Sequence, residues 1–349
     1  MSIFLAAIDF YEYYVYNLTK LKHKNMKDGN KIGEFRLNIL PRESMSWDKF
    51  VSSTPENSIA LDGVVLGGPR FDMDTNHFNF DHHDGVIREV TMSTCMQVYF
   101  AIKGGIMNSL LPKKDLYGVV ANIYINDTDQ DTSFAVWLIK NHEKFEGTQS
   151  IPHINRLLSL TDRWDITGGA FPMNIADDLV RQHTWVFEPY TKLRKSGKLS
   201  QADSDIMFDN LMSVMGRLNV FLMGQSGESK LDIRHRILYD SPVFKIVDEV
   251  GGNEARYYLY GKGMNSFLSL VAKKPDGRFV YSLGRRSQFI NFPVEKLYED
   301  FNRAEGLTKD NGWGGSNIIG GSPRGNGSSL SWENLRDIIN ERLKKEGLL

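Results

Sequence analysis

Two hydrophobic periods alternate between residues 59 and 145, and this alternation limits the fold more than any other feature of the chain. IALDGVVLGG (59–68) is a nearly continuous apolar run closing in a glycine pair, the pattern of a buried strand and its turn. HFNFDHH (77–83) alternates and ends in polar residues, as a short strand would. STCMQVYFAIKGG (93–105) opens on Ser93 and Thr94 and closes on Gly104 and Gly105, the start and stop signals of a helix. LYGVVANIYIN (116–126) is β-branched and aromatic, a further buried strand. DTSFAVWLIKNHEKF (131–145) returns to helical spacing. Strands separated by helices fold most simply as a parallel sheet with crossovers. The expected class is α/β: a mostly parallel sheet domain flanked by helices, with a smaller C-terminal α/β domain.

Residues 190–232 combine a charged loop, a long amphipathic helix and a Gly/Ser/Lys turn, which reads as a connector. The expected boundaries are 1–195 for a metal-binding catalytic domain, 196–232 for a helical linker and 233–349 for a substrate-binding domain. The last segment predicts strands near 243–248, 256–261, 266–273 and 278–290. A helix follows from about 293, then a glycine-rich stretch over 311–327 and a final helix from Trp332. The opening MSIFLAAIDFYEYYVYNLTK is interrupted by Asp9 and Glu12 and lacks a basic start, so it reads as a core element and not a signal peptide. The lysine-rich 20–31 stretch reads as a solvated loop.

Composition narrows the function. Forty-two basic against 43 acidic side chains leave a net charge of -1, with no global field to hold duplex nucleic acid. The one cysteine, Cys95, excludes a disulfide framework and a cysteine-rich zinc module. No run of about 20 apolar residues predicts a membrane span. A cytoplasmic protein is expected.

Four clusters carry chemistry. Asp81, His82, His83 and Asp84 follow the 77–80 strand, and loops at strand ends project into the crevice at the carboxyl edge of a parallel sheet. Carboxylate and imidazole without thiolate suit Mn²⁺, Fe²⁺ or Mg²⁺ better than structural Zn²⁺. The plain alternative is a polar surface turn. Asn126, Asp127, Asp129 and Asp131 occupy a strand-to-helix turn, where carboxylates converge on a cation or simply cap the helix. Asp162 and Asp165 flank Arg163-Trp164, with a surface ion pair as the plain alternative. Arg285 and Arg286 precede a loop containing Gly312, Gly314, Gly315, Ser316, Gly320 and Gly321. Such glycines free backbone amides for an anion, and arginine grips phosphate with two hydrogen bonds. The alternative is a flexible loop.

Together these clusters resemble the DHH phosphoesterase superfamily. VVLGGPRFDMDTNHFNFDHHDG followed by STCMQVYFAIKGG resembles that family's Asp-His-His motif and its downstream helix. SLGRRSQFI and WGGSNIIGGS resemble the associated C-terminal domain, in which a strand arginine and a glycine loop hold phosphate. The resemblance implies a hydrolase that cleaves a phosphodiester or phosphoanhydride in an interdomain cleft. It implies Mn²⁺ or Mg²⁺, one or two ions, held by Asp81, His82, Asp129, Asp131 and Asp162. Asp81, His83 and Asp129 would serve catalysis. Arg285, Arg286, Gly314, Gly315, Ser316, Gly320 and Gly321 would hold a small phosphorylated substrate or a short single-stranded nucleic acid. A homodimer is compatible with this. The departures are the motif order, with Asn126-x-x-Asp129-x-Asp131 after Asp-His-His and Asn in place of His; Val65 in place of an acid, for which Asp62, Asp72 or Asp74 could substitute; and Ser316 in place of His. Asp162 or Asp165 would supply a fourth acid. The departures motivate an alternative: a catalytically inactive module that binds nucleotide or metal.

Overall fold

The computed structural model describes residues 30–113, 118–323 and 325–349. The expectations for the first 20 residues and for most of the 20–31 stretch lie outside the described residues. The described chain is α/β, with two six-stranded sheets and helices packed on them. It divides into two units, each built from non-contiguous segments. The first comprises the described residues up to Val86, Thr94–Ser150 and Leu193–Met215; the second comprises Ile87–Ser93, Ile151–Lys192 and Gly216–Leu349. Residues 151–192, placed before the linker by sequence, thus group with the second unit. Among the described residues no helix is long and apolar enough to cross a membrane.

The first unit holds β1 (Asn30–Ile32), β2 (Phe35–Ile39), β3 (Ser58–Leu61), β4 (Arg70–Asp72), β5 (His77–Phe80) and β6 (Ala121–Ile125) in the order β1-β2-β6-β3-β5-β4. The four central strands β2, β6, β3 and β5 are parallel, and each edge carries one antiparallel strand. Helices α1 (Trp47–Ser53), α2 (Thr94–Lys103), α3 (Met107–Leu110) and α4 (Gln130–Lys140) accompany it. Every residue of β3 and β5 is buried, as expected of parallel strands covered on both faces. β3 stops at Leu61 and not at residue 68, because Asp62 (φ 53°) and Gly63 (φ 83°) both take left-handed backbone and turn the chain. β5 likewise ends at Phe80, which frees Asp81, His82 and His83 from the ladder.

The second unit carries α5 (Pro152–Ile166), α6 (Asp178–Val186) and α7 (Glu188–Lys195, as far as Lys192). Helix α8 (Ser204–Leu222) belongs to the first unit through Met215 and to the second beyond it. Strands β7 (Arg236–Asp240), β8 (Lys245–Asp248), β9 (Ser266–Lys273), β10 (Phe279–Arg285), β11 (Gly314–Gly315) and β12 (Ile319–Gly321) form the sheet β11-β12-β10-β9-β8-β7. Only β8 and β9 pair in parallel, joined through α9 (Glu254–Gly261). Residues 256–261, expected as a strand, therefore belong to a helix. Ala255, Leu259 and Tyr260 are buried at helical spacing, and Leu259 and Tyr260 pack with Val247 and Phe267 of the sheet. The opposite face buries Ile246, Leu268, Tyr281 and Leu283 against α10 (Val294–Glu305) and α11 (Trp332–Lys345). Each such large side chain removed from water contributes on the order of 1.5–3 kcal/mol.

Candidate metal centre

The loops that leave β3, β5 and β6 emerge at the carboxyl edge of the first sheet, where ligands bind in parallel α/β sheets. Asp62 follows β3, Asp81, His82 and His83 follow β5, and Asp131 lies in the first turn of α4 after β6. Asp62, His82 and His83 each bring a ligand atom within 4.8 Å of the other two. Asp62 Oδ1 is 3.7 Å from His82 Nε2 and 3.4 Å from His83 Nδ1. Ligand atoms about 2.0–2.2 Å from a cation stand roughly 3–3.5 Å apart, so small adjustments close the set. Asp62, Asp81, His82 and Asp131 are buried, and the His83 side chain keeps 39% of its surface exposed.

Each carboxylate is held by different donors. Thr94 Oγ1 and Thr132 Oγ1 donate to the two oxygens of Asp62, each at 3.0 Å. Asp131 accepts the backbone N–H groups of Thr94 and Cys95, both at 2.7 Å. It therefore caps α2 from a neighbouring helix, while its Oδ2 lies 3.5 Å from His82 Nε2. Asp81 Oδ1 accepts the backbone N–H of His82 at 2.7 Å and that of His83 at 3.1 Å. The same oxygen lies 2.8 Å from His83 Nδ1. Its partner Oδ2 is buried and has no hydrogen bond among the described residues. Three buried carboxylates around two imidazoles call for positive charge, since burying an uncompensated anion is costly. A divalent cation fits this donor set.

His83 has two uses that exclude each other at one atom. Ligation through Nδ1 needs its lone pair, whereas donation to Asp81 needs its hydrogen. The 2.8 Å contact favours donation, which leaves Nε2 as an acceptor on an exposed ring.

The other expected residues take different places. Asp129 is the N-cap of its own helix and accepts Thr132 N–H at 2.9 Å, the capping alternative for that cluster. Asn126 does not face the centre as a ligand: its Nδ2 donates to the carbonyls of Glu43 and Gly63, both at 2.9 Å, tying the loops after β2 and β3 together. Asp162 and Asp165 lie in the second unit, where Asp162 accepts Ser93 N–H at 2.8 Å and Asp165 pairs with Arg88 at 3.3 Å. Among the acids left open for the Val65 position, Asp62 is at the centre. Asp72 and Asp74 occupy the hairpin turn before β5, at the opposite end of that strand, where Asp72 Oδ1 accepts Asp74 N–H at 2.9 Å. Val65 is a buried core residue.

In the second unit, the Arg285 guanidinium donates to the carbonyls of Asn317 and Ile290, both at 2.9 Å, and so braces the glycine loop. The glycines serve close approach of the chain to itself. A Cβ on Gly315 would stand 2.4 Å from the Gly320 Cα, and one on Gly320 would stand 2.2 Å from the Gly314 carbonyl and 2.3 Å from the Tyr298 hydroxyl. Gly314 and Gly315 pair with Gly321 and Gly320 in a hairpin. The Ser316 hydroxyl closes its turn by accepting the N–H groups of Ile318 and Ile319. Arg286 donates its backbone N–H to Asn265, and its guanidinium has no hydrogen bond or ion pair among the described residues.

Sequence reasoning left Asp62 among several options and did not find Thr94 and Thr132 as its donors. The signal for Asp62 was an acid directly after an apolar strand and before a glycine; reading the strand through to residue 68 hid it.

No family model matches the chain, and no curated protein matches it. Among solved structures it is similar to an uncharacterized protein from Helicobacter pylori G27, at 12% identity, over 82% of this chain and 100% of that one. The TM-score of 0.19 is too low to bear on fold or function.

Proposed function

We propose that the protein is a metal-dependent hydrolase of a phosphodiester or phosphoanhydride, as its resemblance to the DHH phosphoesterases implies. The observation that carries this reading is the convergence of Asp62, His82 and His83 at the carboxyl edge of a parallel sheet. Asp62 and His82 would hold the cation, Mn²⁺ or Mg²⁺, with Thr94 and Thr132 orienting the Asp62 carboxylate. When bound, the cation supplies Lewis acidity and a water ionised near neutral pH. Asp81 fixes the His83 ring so that Nε2 can take the proton of the attacking water. The phosphate contact implied for the second unit falls to Arg286, since Arg285 is committed to backbone carbonyls.

A second reading, binding without turnover, draws support from the capping roles of Asp129 and Asp131, which leave fewer carboxylates for a second ion. One experiment separates them. Purified protein with Mn²⁺ is offered a broad panel of phosphate esters and anhydrides: short oligonucleotides, cyclic dinucleotides, nucleoside bisphosphates and polyphosphate. Hydrolysis is expected, with loss in Asp62→Asn and His82→Ala. Metal binding with no turnover of any substrate would favour the binding module, and absence of metal binding would overturn the hydrolase reading.

A further inference from the structure

Among the described residues, strand β4 ends the first sheet on one side, and it carries the sequence Arg70-Phe71-Asp72. Phe71 is 55% exposed although it stacks on Phe78 and Phe80 of the same sheet, at 5.8 and 5.4 Å between ring centroids. Met73 (60%) is exposed directly after the strand. Natural edges are usually blunted by shortness, charges, proline, bulges or covering elements, and β4, three residues long with Pro69 before it, presents a short edge. Here the two flanking charges have opposite sign, and both stand on the same face two residues apart.

We infer that β4 pairs antiparallel with the β4 of a second copy of this chain, about a two-fold axis through Phe71. In that register Arg70 of each copy faces Asp72 of the other, and Phe71 faces its own symmetry mate. Pro69 then lies across from Met73. Cross-strand pairs of opposite charge and of aromatic rings are the stabilising units of a sheet, and like charges directly opposite destabilise it. The charges also fix the register. A shift that centred the axis on Asp72 would oppose two carboxylates, and one centred on Arg70 would oppose two guanidinium groups. The row of phenylalanines 80, 78 and 71 would continue into the partner, joining the two sheets. Such an interface is isologous and closes on itself, so it stops at a dimer.

The strength follows from the area. Phe71 and Met73, each with somewhat over half of a side-chain surface of about 200 Å² exposed, offer roughly 200 Å² per copy. A standard stable interface uses about 800 Å² per partner. A patch well below that size makes the dimer weak and concentration-dependent.

Sedimentation velocity of the full-length protein from about 1 to 200 µM tests this, with reversible dimerisation expected. Arg70→Glu should weaken it about tenfold, because one substitution reverses both symmetric pairs. Adding Asp72→Arg to that variant restores opposite charges and should recover the dimer. A trap independent of those charges is Phe71→Cys. Residues facing each other across antiparallel strands have Cα atoms about 4.5–5.5 Å apart, within disulfide range, and the native Cys95 is buried. Mild oxidation should link Phe71→Cys rapidly and leave Phe289→Cys, on an exposed site of the other unit, monomeric. Wild-type protein that stays monomeric to 200 µM overturns the inference. So does a dimer that Arg70→Glu leaves intact, or failure of Phe71→Cys to cross-link where wild type dimerises.

Discussion

Replacing Asp62 by Asn tests the centre at its least ambiguous position. Asn keeps the shape of Asp, and the two threonine hydroxyls that hold the carboxylate can rotate to serve an amide. What is lost is one negative charge 3.7 Å from His82 and 3.4 Å from His83. Without metal that loss relieves crowding among buried carboxylates, so the metal-free variant should be as stable as wild type to within about 1 kcal/mol. With metal the outcome differs. Outer-shell changes cost about 10–100-fold in metal affinity, so removing a direct carboxylate ligand should cost about 100-fold or more. At a Mn²⁺ concentration 100 times the wild-type Kd, binding stabilises the native state by about 2.7 kcal/mol; a 100-fold higher Kd leaves about 0.4 kcal/mol. For a unit of this size that is a Tm rise of about 5–11 °C in wild type and about 1 °C in the variant. Thermal unfolding over a Mn²⁺ titration reads both numbers. A variant that keeps the full metal-dependent rise would show that Asp62 is no ligand. A variant that collapses without metal would show that Asp62 is a structural pin, and the argument from geometry would fail.

Other expectations follow from the same structure. Asp129→Asn should leave metal affinity within a few-fold by calorimetry, because Asn caps a helix as well as Asp; abolished binding would return Asp129 to the ligand set. His183 is fully buried, stacked on Trp164, and burial pushes its pKa down to about 3. The unfolded chain binds that proton near pH 6.5 and the native state does not, so stability from this group is present above pH 6.5 and falls by about 1.4 kcal/mol per pH unit toward pH 3. His183→Phe should flatten that part of the denaturant midpoint against pH, and an unchanged slope would refute it. Arg286→Ala should raise KM about tenfold or more at constant Tm, whereas Arg285→Ala should lower Tm by freeing the glycine loop. Gly320→Ala should unfold the hairpin edge of the second unit through its collision with Gly314 and Tyr298, a loss of at least about 2 kcal/mol by calorimetry.

The sequence exposed the parallel sheet because β3, β5 and β6 are buried on both faces and helices separate them, which leaves a local hydrophobic record. It exposed Asp81, His82 and His83 for a similar reason: they are contiguous and follow a strand. It could not decide among Asp62, Asp72 and Asp74. That choice depends on strand direction, which sets the last two at the far end of β5. Asp131 looked like a ligand or a cap of its own helix, and only the packing of α4 beside α2 makes it the cap of another. The helix over 254–261 was hidden because tyrosines favour strands locally, and tertiary burial of Leu259 and Tyr260 outweighs that preference. The glycine-rich segment suggested an anion loop, since composition records that the backbone must be bare and not what approaches it.

The position of β6 between β2 and β3 has a consequence for synthesis. It pairs with both neighbours, so neither half of the first sheet can join the other until it arrives. Sixty residues separate Leu61 from Ala121. At about 5–20 residues per second, roughly 3–12 s pass on the ribosome with β2 and β3 already exposed and their shared partner missing. During that interval two apolar strand edges are open to other nascent chains. A single strand, made late, closes the sheet.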